Sequence, residues 1–171
     1  MPHMFLNGGG MRGGSLHHLL AGAPLVAETR TAPHYLLYSV GDRYPALQPC
    51  SPDAGLGAAI VGEVYDLSLD LLRDDLLPAE PPELELGVIE LADGSSALGM
   101  ILRRACPALD HLTDITAYGG WRAYLSRHRS LGRRACRSDP SAGDEDHALR
   151  LEAKATERDG RDPSGVHVQL A

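Results

Sequence analysis

LELGVIELADGSSALGMIL, residues 84–102, is two apolar runs hinged on Asp93-Gly94-Ser95. Leu84 to Leu91 and Ala97 to Leu102 have strand length, and an Asp-Gly step between such runs is a strong local hairpin signal, because glycine takes the positive φ that tight turns need. The stretch predicts a β-hairpin. Alternation along its first arm puts Glu83, Glu85, Gly87 and Ile89 on one face and Leu84, Leu86, Val88 and Glu90 on the other.

Outward from the hairpin the same reasoning supplies short elements. Upstream, Ser68 is expected to cap a helix over Leu69 to Leu77, where Leu69, Leu72 and Leu76 recur at helical spacing and Pro78, Pro81 and Pro82 break it. Ala58 to Leu67 (AAIVGEVYDL) is rich in β-branched residues and predicts a strand. Pro45 to Leu56 reads as a loop. Leu25 to Thr31 and His34 to Val40 are extended segments separated by Ala32-Pro33. Met4 to Asn7 is a short strand running into Gly8-Gly9-Gly10, after which Ser15 is expected to cap a short helix over Leu16 to Ala21, stopped by Gly22 and Pro24. Downstream, Asp114 to Tyr124 (DITAYGGWRAY) supplies a closing turn and a short terminal helix. Five or six short strands with scattered small helices indicate an α+β fold built on a curled mixed sheet.

The chain has 171 residues with 16 Lys+Arg against 23 Asp+Glu, a formal charge of -7, and 43% hydrophobic residues. That is enough for one cored domain, and the acidity argues against a nucleic-acid partner. Near Arg127 the composition shifts to charges of both signs with few large apolar residues, a mixture that cannot offset its own ordering entropy. Residues 1–126 are therefore read as the domain and 127–171 as a mostly disordered tail, in which His147 to Glu157 has good helical propensities but too thin an apolar stripe to hold a helix in place. The acidic excess falls in the domain, where Arg12, Arg30, Arg43, Arg73, Arg103, Arg104 and Arg122 face about twice as many carboxylates. Cys50, Cys106 and Cys136 are odd in number and form no CxxC pair, which fits a reducing, cytoplasmic setting with buried or inert thiols. No apolar run approaches the ~18 residues of a membrane span, and the N-terminus lacks a signal-peptide pattern, so neither membrane nor export is expected.

Gly8, Gly10 and Gly13 fit GxGxxG, with Glu28 at dinucleotide spacing. The context is wrong for that site, since extended chain follows where a parallel βαβ unit is needed, and no cofactor is expected. The glycines at a strand end still expose successive N–H groups to a carboxylate or other oxyanion, or else form a purely structural turn. Adjacent His17 and His18 would point about 100° apart on a helix and cannot share a metal, so packing is their expected role and no metal is expected. Ser15 lacks the strained surroundings of a nucleophile and no cysteine has a local base. Glu80, Glu83, Glu85 and Glu90 crowd a proline-stiffened loop and the strand after it. Carboxylates beside Ile89 and Gly87 would be partly desolvated, which suits a general acid/base near neutral pH; the alternative is a solvated acidic edge that discourages strand pairing.

Together these residues resemble the γ-glutamylcyclotransferase-like superfamily, and within it the C-terminal domain of allophanate hydrolases and its stand-alone relatives. The resemblance runs from Phe5 to Leu125. It is carried by MFLNGGGMRG (4–13), TRTAPHYLLY (29–38), GEVYD (62–66), LGVIELADG (86–94) and DITAYGGWRAYL (114–125), the last two being the most specific. It implies a small mixed β-barrel-like sheet with short flanking helices and a cavity at the mouth of the glycine loop. In the cyclotransferases that loop cradles substrate, which transfers substrate binding to Asn7, Gly8, Gly9, Gly10 and Met11, and one glutamate after the second helix moves protons, a place matched by Glu80, then Glu83 and Glu85. Asn7 stands where the family has a loop tyrosine, Gly87 where it has a second tyrosine, and Gly10 where the allophanate-hydrolase domain has a histidine. The amidase domain with its Ser-Ser-Lys chemistry is absent from the sequence, so full allophanate hydrolysis is not expected.

The resemblance implies a small enzyme acting on a carboxylated amide or carbamate by γ-glutamyl cyclotransfer or carbamate-related lyase chemistry. The competing expectation is a catalytically silent small-molecule binding module or partner subunit of an amidase; besides the small substrate, the partners expected are an amidase or a second copy in a homodimer.

Overall fold

A computed structural model of the protein describes residues 1–104 and 111–135. The chain divides into two compact units, Met1–Ser130 and Leu131–Ala171. The first is a strongly curled mixed sheet with short helices against it. Its strands are β1 (His3–Leu6), β2 (Leu25–Arg30), β3 (Tyr35–Val40), β4 (Tyr44–Pro49), β5 (Val61–Asp66), β6 (Leu84–Glu90), β7 (Ser96–Leu102) and β8 (Leu112–Asp114). They run in the order β2-β5-β1-β7-β4-β3-β8, with β6 paired to the other edge of β7. Pairing is antiparallel except where β7 meets β1 and β4. A bridge between Thr31 and Leu91, with Ala32 N–H donating to Glu90 and Ala92 N–H to Arg30, joins the end of β2 to the end of β6 and curls the sheet toward a barrel.

The expected hairpin of residues 84–102 forms, and its register places Leu84 opposite Leu102 and Glu90 opposite Ser96. Gly94 takes φ +81, and the Asp93 carboxylate accepts the Ser95 N–H at 2.9 Å, so the turn chemistry read from Asp-Gly-Ser is the chemistry that closes it. Alternate residues of the strands fill the core: Phe5, Val64, Leu37, Leu47 and Ile89 are all buried. Burying one such side chain contributes about 1.5–3 kcal/mol.

The structure departs from expectation at three points, two in helices and one in the sheet. Ser68 does cap, its hydroxyl accepting the Leu71 N–H, but the helix does not stop at Leu77. α1 (Leu69–Leu71) passes through a π-helical turn at Leu72–Leu76 into α2 (Leu77–Ala79), which contains Pro78. The Leu77 N–H reaches back five residues to the Leu72 carbonyl, and this wider turn keeps the Pro78 ring off the carbonyl it would strike in an α-helix. The segment after Gly14 is a 3₁₀ turn, His17–Leu20, with no side-chain cap, rather than a helix capped by Ser15. Pro45 to Leu56 is not all loop: Tyr44–Pro49 is β4, paired along its length with β3. β4 touches β7 only at Leu47 opposite Ile101, so its second edge needs few N–H donors and tolerates Pro45 and Pro49.

A 3₁₀ turn at Thr116–Tyr118 leads into α3 (Trp121–Ala135), which continues through residue 126, where the composition changes. Tyr124 donates to the Asp42 carboxylate and so ties α3 to the turn between β3 and β4. No helix among the described residues is long and apolar enough to cross a membrane. Cys106, Cys136 and the His147 to Glu157 segment lie outside the described residues; Cys50 is a half-buried free thiol.

Candidate active site

β1 and β4 both pair with β7 but at successive positions, β1 at Leu98 and Gly99 and β4 at Ile101. The two strands diverge there, and the loop that follows β1 leaves the sheet at the fork. A pocket of about 290 Å³ opens at this point, with Asn7, Gly8, Gly9 and Gly10 on one wall, Arg43, Tyr44 and Pro45 from the start of β4 on another, and Glu80 and Pro81 closing a third. Phe5, Leu84, Met100 and Trp121 supply apolar lining.

The glycine loop is held by its own backbone. Met11 N–H donates to Gly8, Gly14 N–H to Met11 and Leu16 N–H to Gly9, at 3.2, 2.8 and 3.0 Å. A Cβ at Gly14 would lie 2.1 Å from the Gly9 carbonyl oxygen, so this close crossing demands glycine. No protein acceptor meets the Gly9 or Gly10 N–H among the described residues, and both residues line the pocket. His17 sits within hydrogen-bonding distance of the Gly10 carbonyl through Nδ1, at 3.0 Å, and its ring lies against Tyr65. It packs onto the loop, as expected; His18 is exposed. Among the described residues no group of His, Cys, Asp and Glu could hold a metal ion.

The far end of the loop is fastened by a carboxylate that the sequence reading passed over. Glu63, in the middle of β5, is 2% exposed. It accepts the Arg12 N–H and the Tyr65 hydroxyl, both at 2.7 Å, and pairs with Arg122 Nη1 at 3.0 Å. Arg122 in turn donates to the Arg12 carbonyl, so both sides of that residue's backbone are gripped. Burial pushes the Glu63 carboxyl up, but the Arg12 N–H, the Tyr65 hydroxyl and the Arg122 guanidinium outweigh it and hold it below the usual range. Burial and the bond to Glu63 push the Tyr65 phenol up to about 12. Arg12 also pairs with Glu28, which gives Glu28 the part of a surface ion-pair partner; and β1 is followed by a 3₁₀ turn and then by β2, which pairs antiparallel with β5 and not with β1.

Of the expected site residues, Asn7, Gly8, Gly9, Gly10 and Glu80 come together in the pocket. Glu80 follows α2 with extended backbone (φ -77, ψ 143), the conformation favoured before Pro81. Its carboxylate has no hydrogen bond or ion pair among the described residues, and burial pushes it up to about 7. Met11 is not in this wall; it is buried behind the loop. Glu83 is absent from the lining too: the Tyr44 hydroxyl donates to its carboxylate at 2.7 Å and holds it below the usual range. Glu85 lies on β6 with Arg103 3.9 Å away, outside the lining. Where the superfamily's second tyrosine is expected, Gly87 faces Gly99 across the hairpin, and a Cβ there would already be 2.7 Å from Ile101 Cδ1, so Ile101 occupies that space. Arg43 and Tyr44 enter the site from the stretch between Val40 and Pro45, to which the sequence assigned no element, and Trp121 from the expected terminal helix. Only their partners in three dimensions mark them out.

Comparison with known proteins bears on this architecture. The family model of the allophanate hydrolase C-terminal domain matches residues 2–126. The uropathogenic E. coli-specific protein c4763 has a similar structure, with 34% identity over 73% of this chain and 95% of that one and a TM-score of 0.66. The allophanate hydrolase of Kluyveromyces lactis is 26% identical over 74% of this chain, with a TM-score of 0.66, but the match spans only 21% of that enzyme. PH0828 from Pyrococcus horikoshii, at 17% identity over 76% of this chain and 98% of its own and a TM-score of 0.58, shares the fold. No curated protein matches the chain. The chain belongs to the allophanate hydrolase C-terminal domain family.

Proposed function

We propose that the protein is a small-molecule enzyme in which Glu80 acts as general acid/base on a carboxylated amide or carbamate bound in the fork between β1 and β4. The observation that carries this reading is the Glu80 carboxyl, unpartnered and pushed up to about 7, lining the same pocket as the glycine loop. A group with that pKa exists in both forms near neutrality, so it can take a proton from an attacking nitrogen or oxygen and return it to the departing one. The N–H groups of Gly9 and Gly10 would hold the substrate's carboxylate, and Asn7 would bind beside them. Glu83 and Glu85, outside the lining, would act only through other residues. The chemistry calls on no cofactor, and the unit that performs it is residues 1–126, with 127–171 an appended tail, in a cytoplasmic protein.

The test is turnover of Glu80→Gln on an identified substrate. Removing a positioned general base lowers kcat by about 100-fold to 10,000-fold. Wild-type turnover by Glu80→Gln would end the proposal. The second reading, a silent binding module serving an amidase, draws on the domain's occurrence as a fifth of the Kluyveromyces lactis enzyme and on the departures at Asn7, Gly10 and Gly87. Stabilisation of the protein by γ-glutamyl amines, pyroglutamate, allophanate or simple dicarboxylates, without turnover of any of them, would favour it.

A further inference from the structure

A second cavity of about 290 Å³ opens where α3 begins, and Trp121 is the one residue that lines both it and the Glu80 pocket. Met11, which the Glu80 pocket leaves out, joins Trp121, Val61 and Tyr118 in its apolar lining. Val61 and Tyr118 are 38% and 36% exposed, so each has apolar surface that a ligand could take out of water. Between Tyr118 and Trp121 the lining is the bare backbone of Gly119 and Gly120. A Cβ at Gly120 would lie 3.3 Å from the Val61 Cβ, so glycine keeps that space open.

The charge of this lining is opposite to that of the chain. The protein carries -7 overall, yet the cavity is lined by Arg30 and Arg122 and by no Asp or Glu. Arg122 is committed to Glu63 and to the Arg12 carbonyl. Arg30 lies directly opposite Val61 in the pairing of β2 with β5, which sets the two side chains on one face of the sheet. Glu28 and Glu63, two residues along on that face, are taken by Arg12 and Arg122. Arg30 itself has no ion pair or side-chain hydrogen bond among the described residues. We infer that this cavity is a second ligand site, which takes a small organic acid with a flat apolar body: the carboxylate on Arg30, the body against Val61, Tyr118 and Trp121. An exposed guanidinium alone holds a carboxylate weakly in water, and apolar walls alone do not favour an acid over its neutral counterpart; the two side by side select an anion with a ring. The volume, at the small end of ligand sites, suits a single ring. This assignment is independent of the chemistry proposed for Glu80.

Trp121 is the chain's single tryptophan, so a proton–nitrogen correlation spectrum of the full chain carries its indole N–H as a lone reporter. Three probes are titrated at neutral pH and matched ionic strength: benzoate, benzyl alcohol, which keeps the ring without the charge, and acetate, which keeps the charge without the ring. Benzoate should shift the indole peak and the Gly119 and Gly120 amides saturably while the Gly8, Gly9 and Gly10 amides stay in place. The glycine amides separate the two cavities, since Trp121 lines both. Benzoate is expected to bind at least about fivefold more tightly than either other probe. Arg30→Gln, at an exposed position, should bring benzoate down to the affinity of benzyl alcohol and leave benzyl alcohol unchanged. Tyr118→Ala should weaken both. No saturable shift at millimolar benzoate, shifts confined to Gly8, Gly9 and Gly10, benzyl alcohol or acetate binding as tightly as benzoate, or unchanged benzoate affinity in Arg30→Gln would overturn the assignment.

Discussion

Glu80→Gln should stabilise the protein, and by an amount that grows with pH. The carboxyl titrates near its ordinary 4.5 in the unfolded chain and is pushed up to about 7 by burial in the native pocket. A raised carboxyl pKa means that the native state binds the proton more tightly, so the advantage it brings is fully present at acid pH and is lost as pH rises through about 7. Taking those two pKa values, ionising Glu80 costs the native state about 1 kcal/mol at about pH 5 and about 3 kcal/mol at about pH 8. Glutamine has nearly the same shape and no charge. The difference in unfolding free energy between Glu80→Gln and wild type should therefore increase by about 2.5 kcal/mol over that range, a relative shift on the order of 10 °C in Tm. Urea denaturation of both proteins at several pH values measures it. The wild type's kcat/KM should rise through an apparent pKa near 7 over the same interval as the base form appears. A stability difference constant across the range would show that Glu80 titrates normally, and would remove the physical basis for giving it the proton.

Glu63→Leu leaves the Arg12 N–H and the Arg122 guanidinium without their acceptor and should destabilise the protein by about 3 kcal/mol in urea melts; a loss under about 1 kcal/mol would mean the network is solvated. Glu63→Gln removes the charge that raises Tyr65, so the highest tyrosinate step in an ultraviolet titration should move down from about 12, and Tyr65→Phe should delete that step altogether. Gly14→Ala forces a Cβ against the Gly9 carbonyl and should cost at least about 2 kcal/mol in thermal denaturation while weakening any ligand of the pocket; an unchanged Tm would show that the loop opens freely.

The elements visible in the sequence are those whose signals are local. The hairpin of residues 84–102 declares itself through Asp93-Gly94-Ser95, and the start of the helix through Ser68, because turn and cap chemistry act within three residues. β4 escaped because Pro45 and Pro49 argue against a strand locally, while the reason they are tolerated, a second edge paired only at Leu47, belongs to the sheet as a whole. The site divides in the same way. The glycines and Glu80 could be placed by spacing and by resemblance, whereas Arg43, Tyr44 and Trp121 reach the pocket only through β4 and α3. Glu63 left one sequence signal: a lone charge inside IVGEVY, residues 60–65, where a buried strand would otherwise be apolar. Such a residue is either exposed or paired, and the arginines that pair it lie 51 and 59 positions away in sequence at Arg12 and Arg122.

Glu63 and Glu80 together show how this fold separates a firmly ionised carboxylate from one that titrates near neutrality. Burial alone would rank them wrongly, since Glu63 is the more deeply buried of the two. What differs is supply of partners: Glu63 receives an N–H, a phenol and a guanidinium and stays ionised, while Glu80 receives none and is driven toward its neutral form. The stabilisation Glu63 provides persists at neutral pH and fails only in acid, as pH falls through its lowered pKa; that of Glu80 runs the other way. The firmly ionised carboxylate fixes the end of the glycine loop through the Arg12 backbone, and the loop forms the wall that Glu80 faces. Rigidity on one side and a carboxyl that titrates near neutrality on the other is the division of labour that the proposed general acid/base chemistry would use, since such a group needs a fixed place and a pKa near the working pH. Giving Glu80 a partner should therefore abolish that division: Leu84→Lys, placed beside it in the lining, is expected to lower the Glu80 pKa and the apparent pKa of kcat/KM together. Movement of one without the other would mean that the group limiting the rate is not Glu80.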